Sequence, residues 1–141
     1  MSGSRQSTVV AIKGRAVLIE GAPGSGKTSL ALALIDRGAV LIGDDAVLVE
    51  PEASGLMVRP HPNTRGLVEV RGLGLLRFPV HTSARAALVI QLDPAAPRFI
   101  EAADSIAIAG VPVPLVRLEP HGSALPIVAE LALERYGLSP D

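Results

Sequence analysis

Cysteine is absent from the 141 residues, and with it go disulfides, thiolate metal sites and cysteine nucleophiles. Tryptophan is absent too, and Tyr136, Phe78 and Phe99 are the only aromatic residues, which argues against a base-stacking platform for single-stranded nucleic acid. No apolar run reaches the roughly 20 residues that a membrane-spanning helix needs; the longest are broken by Gly, Pro or a charge. Neither sign of charge dominates: the formal net charge is −1, and the Lys and Arg residues are scattered, so no basic patch points to nucleic acid. The start Met1-Ser-Gly-Ser-Arg5 lacks the apolar core of a secretory signal. These absences lead us to expect a soluble, cytoplasmic protein with neither a membrane nor a nucleic acid as partner. What is present, 48% hydrophobic residues in a chain of this length, fits one domain spanning 1–141 with a buried core.

The most informative segment is Gly21-Ala22-Pro23-Gly24-Ser25-Gly26-Lys27-Thr28, a complete phosphate-binding loop of the form G-x-x-x-x-G-K-S/T, continued by Ser29. An apolar run, Ala16-Val-Leu-Ile19, precedes it, and a helical pattern, Ser29-Leu-Ala-Leu-Ala-Leu-Ile35, follows. Glycines at that spacing let successive backbone N–H groups turn inward and cup anionic oxygens at a helix N-terminus. Lys27 would then reach the β- and γ-phosphates, and the Thr28 hydroxyl would sit on Mg²⁺.

Around the loop, Thr8 to Ile12 and Ala16 to Glu20 are predicted strands joined by a Lys13-Gly14-Arg15 hairpin turn. A helix is expected from Thr28 to Arg37, ended by Gly38, with Arg37 favourably placed against the helix dipole. Ala39 to Ile42 should be a short buried strand, and Ala46 to Glu50 with Leu56 to Arg59 a second hairpin. The Gly-, Arg- and Pro-rich stretch from Pro60 to Pro79 is expected to be mostly irregular. Ala86 to Leu92 reads as a buried strand and Asp93 to Ala96 as a turn. Val111 to Leu118 reads as an edge strand, because it carries Pro112 and Pro114. Ser123 is expected to cap a last helix, Leu125 to Tyr136, stopped by Gly137. The fold class is α/β, with many short strands in a mixed sheet and few helices, too few for a doubly wound nucleoside kinase.

Two carboxylates, Asp44 and Asp45, follow the strand after the first helix. Beside a phosphate site they can divide labour: one orients Mg²⁺ or its water, the other accepts a proton from an attacking hydroxyl. Asp pairs also cap turns, a role the loop next door makes less attractive. In Glu69-Val-Arg71-Gly-Leu-Gly74, Glu69 is a candidate metal carboxylate and Arg71 a candidate for neutralising a transferred phosphoryl group. A surface ion pair on a glycine-rich loop is the plainer alternative. Arg98, after the Asp93-Pro-Ala-Ala-Pro turn, is a further candidate phosphate contact, or else a solvated arginine. His61, His81 and His121 show no metal-ligand spacing and are taken as loop residues.

In this order, the pieces resemble the catalytic domain of the HPr kinase/phosphorylase family. The resemblance rests on the phosphate loop, the helix ending Ile35-Asp-Arg-Gly38, the run Leu41-Ile-Gly-Asp-Asp45, and Gly66-Leu-Val-Glu-Val-Arg-Gly-Leu-Gly-Leu75, which is similar to the family's Glu-Ile/Val-Arg-Gly-Leu-Gly signature. It implies a P-loop domain of the phosphoenolpyruvate-carboxykinase-like type. It also implies an ATP- and Mg²⁺-dependent serine kinase acting on the phosphocarrier protein HPr, often with reverse phosphorolysis that consumes phosphate and releases pyrophosphate. Family members commonly assemble as homo-oligomers, often hexamers. By the same resemblance Lys27 holds phosphates and Thr28 ligates Mg²⁺. Asp45, with Asp44 beside it, takes the proton of the substrate serine. Glu69 is the second metal carboxylate, and Arg71 and Arg98 belong to the catalytic surround. The chain would be the short form, without the N-terminal regulatory domain of longer members. The family's histidine upstream of the loop would fall near Gln6, and its Pro-Val-Arg-Pro-Gly-Arg stretch, linked to dephosphorylation, is replaced near Val116-Arg-Leu-Glu-Pro-His-Gly122. The kinase reaction is therefore implied more firmly than the reverse one. Two other readings share the loop: a small-molecule P-loop kinase, and a non-catalytic nucleotide sensor reporting to a regulatory partner.

Overall fold

Apolar residues run without interruption through the central strands, because those strands are covered on both faces. The computed structural model describes residues 3–140. Its elements are, in order, β1 (Gly3–Arg5), β2 (Thr8–Ile12), β3 (Arg15–Gly21), α1 (Lys27–Asp36), β4 (Val40–Gly43), β5 (Val47–Glu52) and β6 (Gly55–Pro60). A single 3-10 turn at Pro62–Thr64 follows, then β7 (Leu67–Val70), β8 (Gly74–Arg77), β9 (Ala84–Leu92), β10 (Asp104–Ile108), β11 (Val111–Leu118) and α2 (Leu125–Tyr136). The main sheet runs β1-β5-β6-β9-β3-β2-β4, and β11 joins it through β9 and carries β10 on its other side. Pairing is mixed: β3 and β11 lie parallel to β9, whereas the β2–β3, β5–β6 and β10–β11 pairs are antiparallel.

Strand β9 organises the sheet. Along the edge away from β3 it pairs first with β6, at Ala84 and Arg85, and later with β11, from Val89 to Leu92. One edge thus serves two partners, and the sheet splits there. Alternation sends Val9, Ala11, Ala16 and Leu18 into a core between strands, and Val10, Val17 and Ile19 into a second core beneath the two helices. The β3–β9 register shifts where Val17 pairs with Leu88 rather than Ala87. That bulge turns Ala87 and Leu88, neighbours in sequence, to the same helix-covered face. The Leu138 N–H donates to the Ala87 carbonyl at 2.9 Å, satisfying a group at the bulge.

Helix α1 buries Leu30, Ala31 and Leu34 against the sheet. It ends as the sequence suggests: Gly38 is left-handed (φ 109), its N–H bonds to Ile35 O, and the Ala39 N–H reaches back to Leu34 O. Arg37 does more than face the dipole, since it forms a 2.8 Å ion pair with Glu130 of α2. The Lys13-Gly14 turn has positive φ at both residues, the geometry a two-residue hairpin needs.

Four expectations change. The stretch 60–79 is not mostly irregular: β7 and β8 form a two-stranded antiparallel ribbon outside the main sheet, with Gly72 in its turn and Gly74 at the start of β8 both at positive φ. The glycines there mark a turn between strands, not the absence of strands. Strand β11 is not an edge along its whole length, because from Leu115 it pairs with β9 while its N-terminal part pairs with β10. Both prolines precede Leu115, so neither interrupts the β9 ladder. Strand β10, unassigned from the sequence, forms through this pairing although its own residues are mostly exposed. Finally, α2 begins at Ala124 without a side-chain cap, so Ser123 does not cap it.

Candidate functional site

Strand β3, flanked by β9 and β2, delivers the chain into the loop at its C-terminal end, and α1 carries it away. The turn is tight: a Cβ on Gly21 would lie 2.6 Å from Ser25 Oγ and 3.0 Å from the Leu92 carbonyl oxygen. Gly24 (φ 78) and Gly26 (φ 102) hold left-handed backbone that an L side chain would strain. The Ser25 N–H bonds to Ala22 O, the Leu30 N–H bonds to Gly26 O, and the Lys27 ammonium donates to Gly21 O at 3.0 Å across the loop. No side chain caps the start of α1, so its positive end faces the loop's concave side with its first amides uncapped.

Next to the loop stands a polar knot. The Thr28 hydroxyl donates to Asp44 Oδ1 at 2.9 Å, and the Thr8 hydroxyl donates to the same oxygen at 3.1 Å. Thr8 in turn accepts from the Asp45 N–H at 3.2 Å. These bonds tie β2, α1 and the segment after β4 into one corner. Asp44 is half-buried and Asp45 exposed. Asp45 sits in the left-handed region (φ 67) of a turn that follows β4, and the two carboxylates, each with its own partner, line the same cleft. Gly43 is needed for that turn, since a Cβ there would meet the Ala46 carbonyl at 2.5 Å. Further out, Gln6 reaches Asp45 Oδ1 at 3.5 Å.

The Arg5 side chain grips Glu20, the residue before the loop, through two bonds of 2.7 and 2.9 Å. The hydrogen bond to Glu20 raises the Arg5 pKa above the usual guanidinium value, against the opposing effect of partial burial. The charge is therefore permanent, and the pair fastens β1 to the strand end that presents the loop.

A cleft of about 520 Å³ opens over this corner. It gathers Gly24, Gly26, Lys27, Thr28 and Ser29 from the loop and α1, Asp44 and Asp45 from the turn after β4, and Glu69 and Arg71 from the β7–β8 ribbon. Gly21, Ala22, Pro23 and Ser25 form the arch of the loop rather than the lining. Arg98 is not brought to the cleft. It lines a second groove of about 210 Å³ with Phe99, Leu131, Arg135 and Tyr136, because the segment after β9 turns away to pack on α2. Three lining residues were not picked out from the sequence: Thr8, Leu32 and His121. Thr8 and Leu32 look like ordinary strand and helix residues. His121, in a Pro-His-Gly turn, has no local signature, and only the fold brings it here.

Among the described residues, no group of three or more His, Asp or Glu side chains converges to hold a metal. One hydroxyl and one carboxylate in contact, with a second carboxylate on the same cleft, instead fit Mg²⁺, which commonly takes one or two carboxylates and completes its shell with phosphate and water. The left-handed glycines and the uncapped helix start fit a nucleotide's phosphate tail.

The sequence profile of the HPr Serine kinase C-terminal domain matches residues 2–134. A protein of Caldicellulosiruptor bescii named HPr kinase/phosphorylase is 38% identical over 98 residues, which cover 64% of this chain and 32% of that protein. The Bordetella pertussis HPr kinase/phosphorylase is 48% identical over 66 residues, 46% of this chain and 21% of that protein. This chain thus spans about a third or less of the curated relatives it matches. The solved Hpr(Ser) kinase/phosphatase from Coxiella burnetii superposes with a TM-score of 0.84 at 26% identity, covering 94% of this chain and 88% of that one. Phosphate loop, acidic turn and ribbon stand on an α/β mixed sheet of that same architecture, and the chain belongs to the HPr Serine kinase C-terminal domain family.

Proposed function

We propose that this domain transfers the γ-phosphoryl group of ATP to a serine of an HPr-like phosphocarrier protein, with Mg²⁺ as cofactor. The observation that carries the proposal is the joining of Thr28 to Asp44 at 2.9 Å, at the mouth of a glycine-lined loop, with Asp45, Glu69 and Arg71 on the same cleft. The names of the relatives support the substrate class.

The loop amides and Lys27 bind the phosphate tail and fix the γ-phosphorus for in-line attack. Thr28 and Asp44, with Glu69 as a second carboxylate, would hold Mg²⁺, which supplies charge neutralisation to the phosphates. Asp45 accepts the proton of the serine hydroxyl as the new O–P bond forms and the bond to the β–γ bridging oxygen breaks. Its exposure suits a group that must meet an incoming protein. Arg71 balances charge on the transferred group. Reverse phosphorolysis would use the same groups, and assembly into a homo-oligomer, with a hexamer as the expected form, belongs to the same reading.

The test is transfer of labelled phosphate from ATP to purified HPr. Asp45→Asn should lower the transfer rate by about 10²- to 10⁴-fold while nucleotide binding persists. Undiminished transfer in that variant removes Asp45 from the role, and absence of transfer by the unaltered chain removes the kinase reading itself.

A further inference from the structure

His121 is the one imidazole on the cleft, and it arrives there on the β11–α2 connection, far in sequence from the loop. Its ring stands against the last glycine of the loop: a Cβ built on Gly26 would lie 3.7 Å from His121 Cε1 and 3.8 Å from Nδ1. That is ordinary van der Waals distance, so the ring flanks the place where loop amides turn toward a ligand.

The backbone gives a second, independent indication. Four described non-glycine residues have positive φ: Lys13, Asp45, Ala109 and His121. Lys13 and Ala109 each precede a glycine in a two-residue hairpin turn between paired strands, which accounts for their geometry. The other two, Asp45 and His121, also lie in turns, but neither turn joins a pair of hydrogen-bonded strands, and both residues line the cleft. Left-handed backbone at a non-glycine residue persists where its surroundings demand it, and such residues concentrate at ligand sites. His121 holds φ 74, its side chain is exposed, and no hydrogen-bond partner for its ring is found among the described residues. A ring with an N–H to give, placed beside an anion cup, is suited to one class of acceptor.

We propose that His121 is a further phosphate-binding residue, donating a hydrogen bond from its imidazole N–H to an oxygen of the nucleotide's phosphate tail. This rests on the nucleotide-binding reading above. It adds a contact from a separate segment, so that the tail is held from the β11–α2 turn as well as from the loop. Stacking on the base or ribose is the competing role, and the two differ in what they predict for a ligand that has phosphates but no nucleoside.

The experiment titrates the intact chain calorimetrically with Mg·ATP and, separately, with magnesium pyrophosphate. The variants are His121→Gly, which relaxes the left-handed backbone, and His121→Asn, which tolerates it and keeps an N–H donor. His121→Gly should melt no lower than the unaltered protein yet bind both ligands about tenfold more weakly. His121→Asn should fall between the two. A purely structural role for His121 would leave affinity unchanged in the glycine variant, and that result overturns the proposal. Loss confined to ATP, with pyrophosphate unaffected, also overturns it in favour of a nucleoside contact. If the unaltered chain binds neither ligand, the nucleotide reading fails together with it, a pattern distinct from tight wild-type binding that His121→Gly leaves untouched.

Discussion

The two grooves of this domain make an instructive pair. The cleft over the phosphate loop combines left-handed glycines, uncapped helix amides, a hydroxyl–carboxylate contact and one arginine, Arg71. The second groove has three arginines, Arg98, Arg117 and Arg135, but its floor is apolar, with Val116, Leu118 and Leu131. Two of those arginines are occupied at home: Arg117 pairs with Asp104, and Arg135 lies 5.6 Å over the Tyr136 ring and donates to its hydroxyl. On the proposed reading, converging backbone donors with acids beside them make the phosphate site rather than positive charge alone. A polyphosphate needs many hydrogen bonds and a metal, and a lone guanidinium supplies a few of the first and cannot hold the second.

That contrast can be broken or sharpened by substitution. The largest effect is expected at Lys27: Lys27→Ala should reduce phosphoryl transfer about 10²- to 10³-fold, read in the labelled-ATP assay. An intermediate effect is expected at Gly26. The space around its Cβ position is adequate, so Gly26→Ala should act through backbone strain alone, about 1–2 kcal/mol for forcing alanine to φ 102. A direct titration should then show nucleotide affinity lower by roughly tenfold. The smallest is at Arg98, where Arg98→Ala should change transfer rate and ATP affinity by less than about twofold, since its groove is separate from the cleft. A large loss on Arg98→Ala would mean that the second groove takes part in the reaction after all, through an incoming protein or a second copy of the chain.

The order in which features were legible follows the range of the forces involved. The Lys13-Gly14 hairpin, the Gly38 helix end and the span of α2 were all readable because turn and cap preferences act within a few residues. The stretch 60–79 is not legible as strand because its glycines argue locally against one, whereas Leu67-Val-Glu-Val70 needs only a partner four to ten residues on. Strand β10 escaped notice since its burial pattern is mostly exposed and pairing with β11 alone makes it a strand. In the cleft, Lys27 and Thr28 announced themselves by spacing. Thr8 did not, although it bonds to Asp44 and Asp45 alike, because a threonine in an apolar strand is unremarkable until the fold shows what stands opposite.

From the chain alone came the glycine-rich loop between strand and helix, the acid pair after β4 and the mixed α/β character, since each depends on neighbours in sequence and on the conformational licence of glycine. Only the folded molecule decided that Asp44 would share an oxygen between two threonine hydroxyls, that Glu69 and Arg71 would hang over the cup on a separate ribbon, and that His121 would join them while Arg98 would not. The reason is geometric: strand β9 divides one edge between β6 and β11, and the segments those strands lead to are set by long-range pairing that no local pattern encodes.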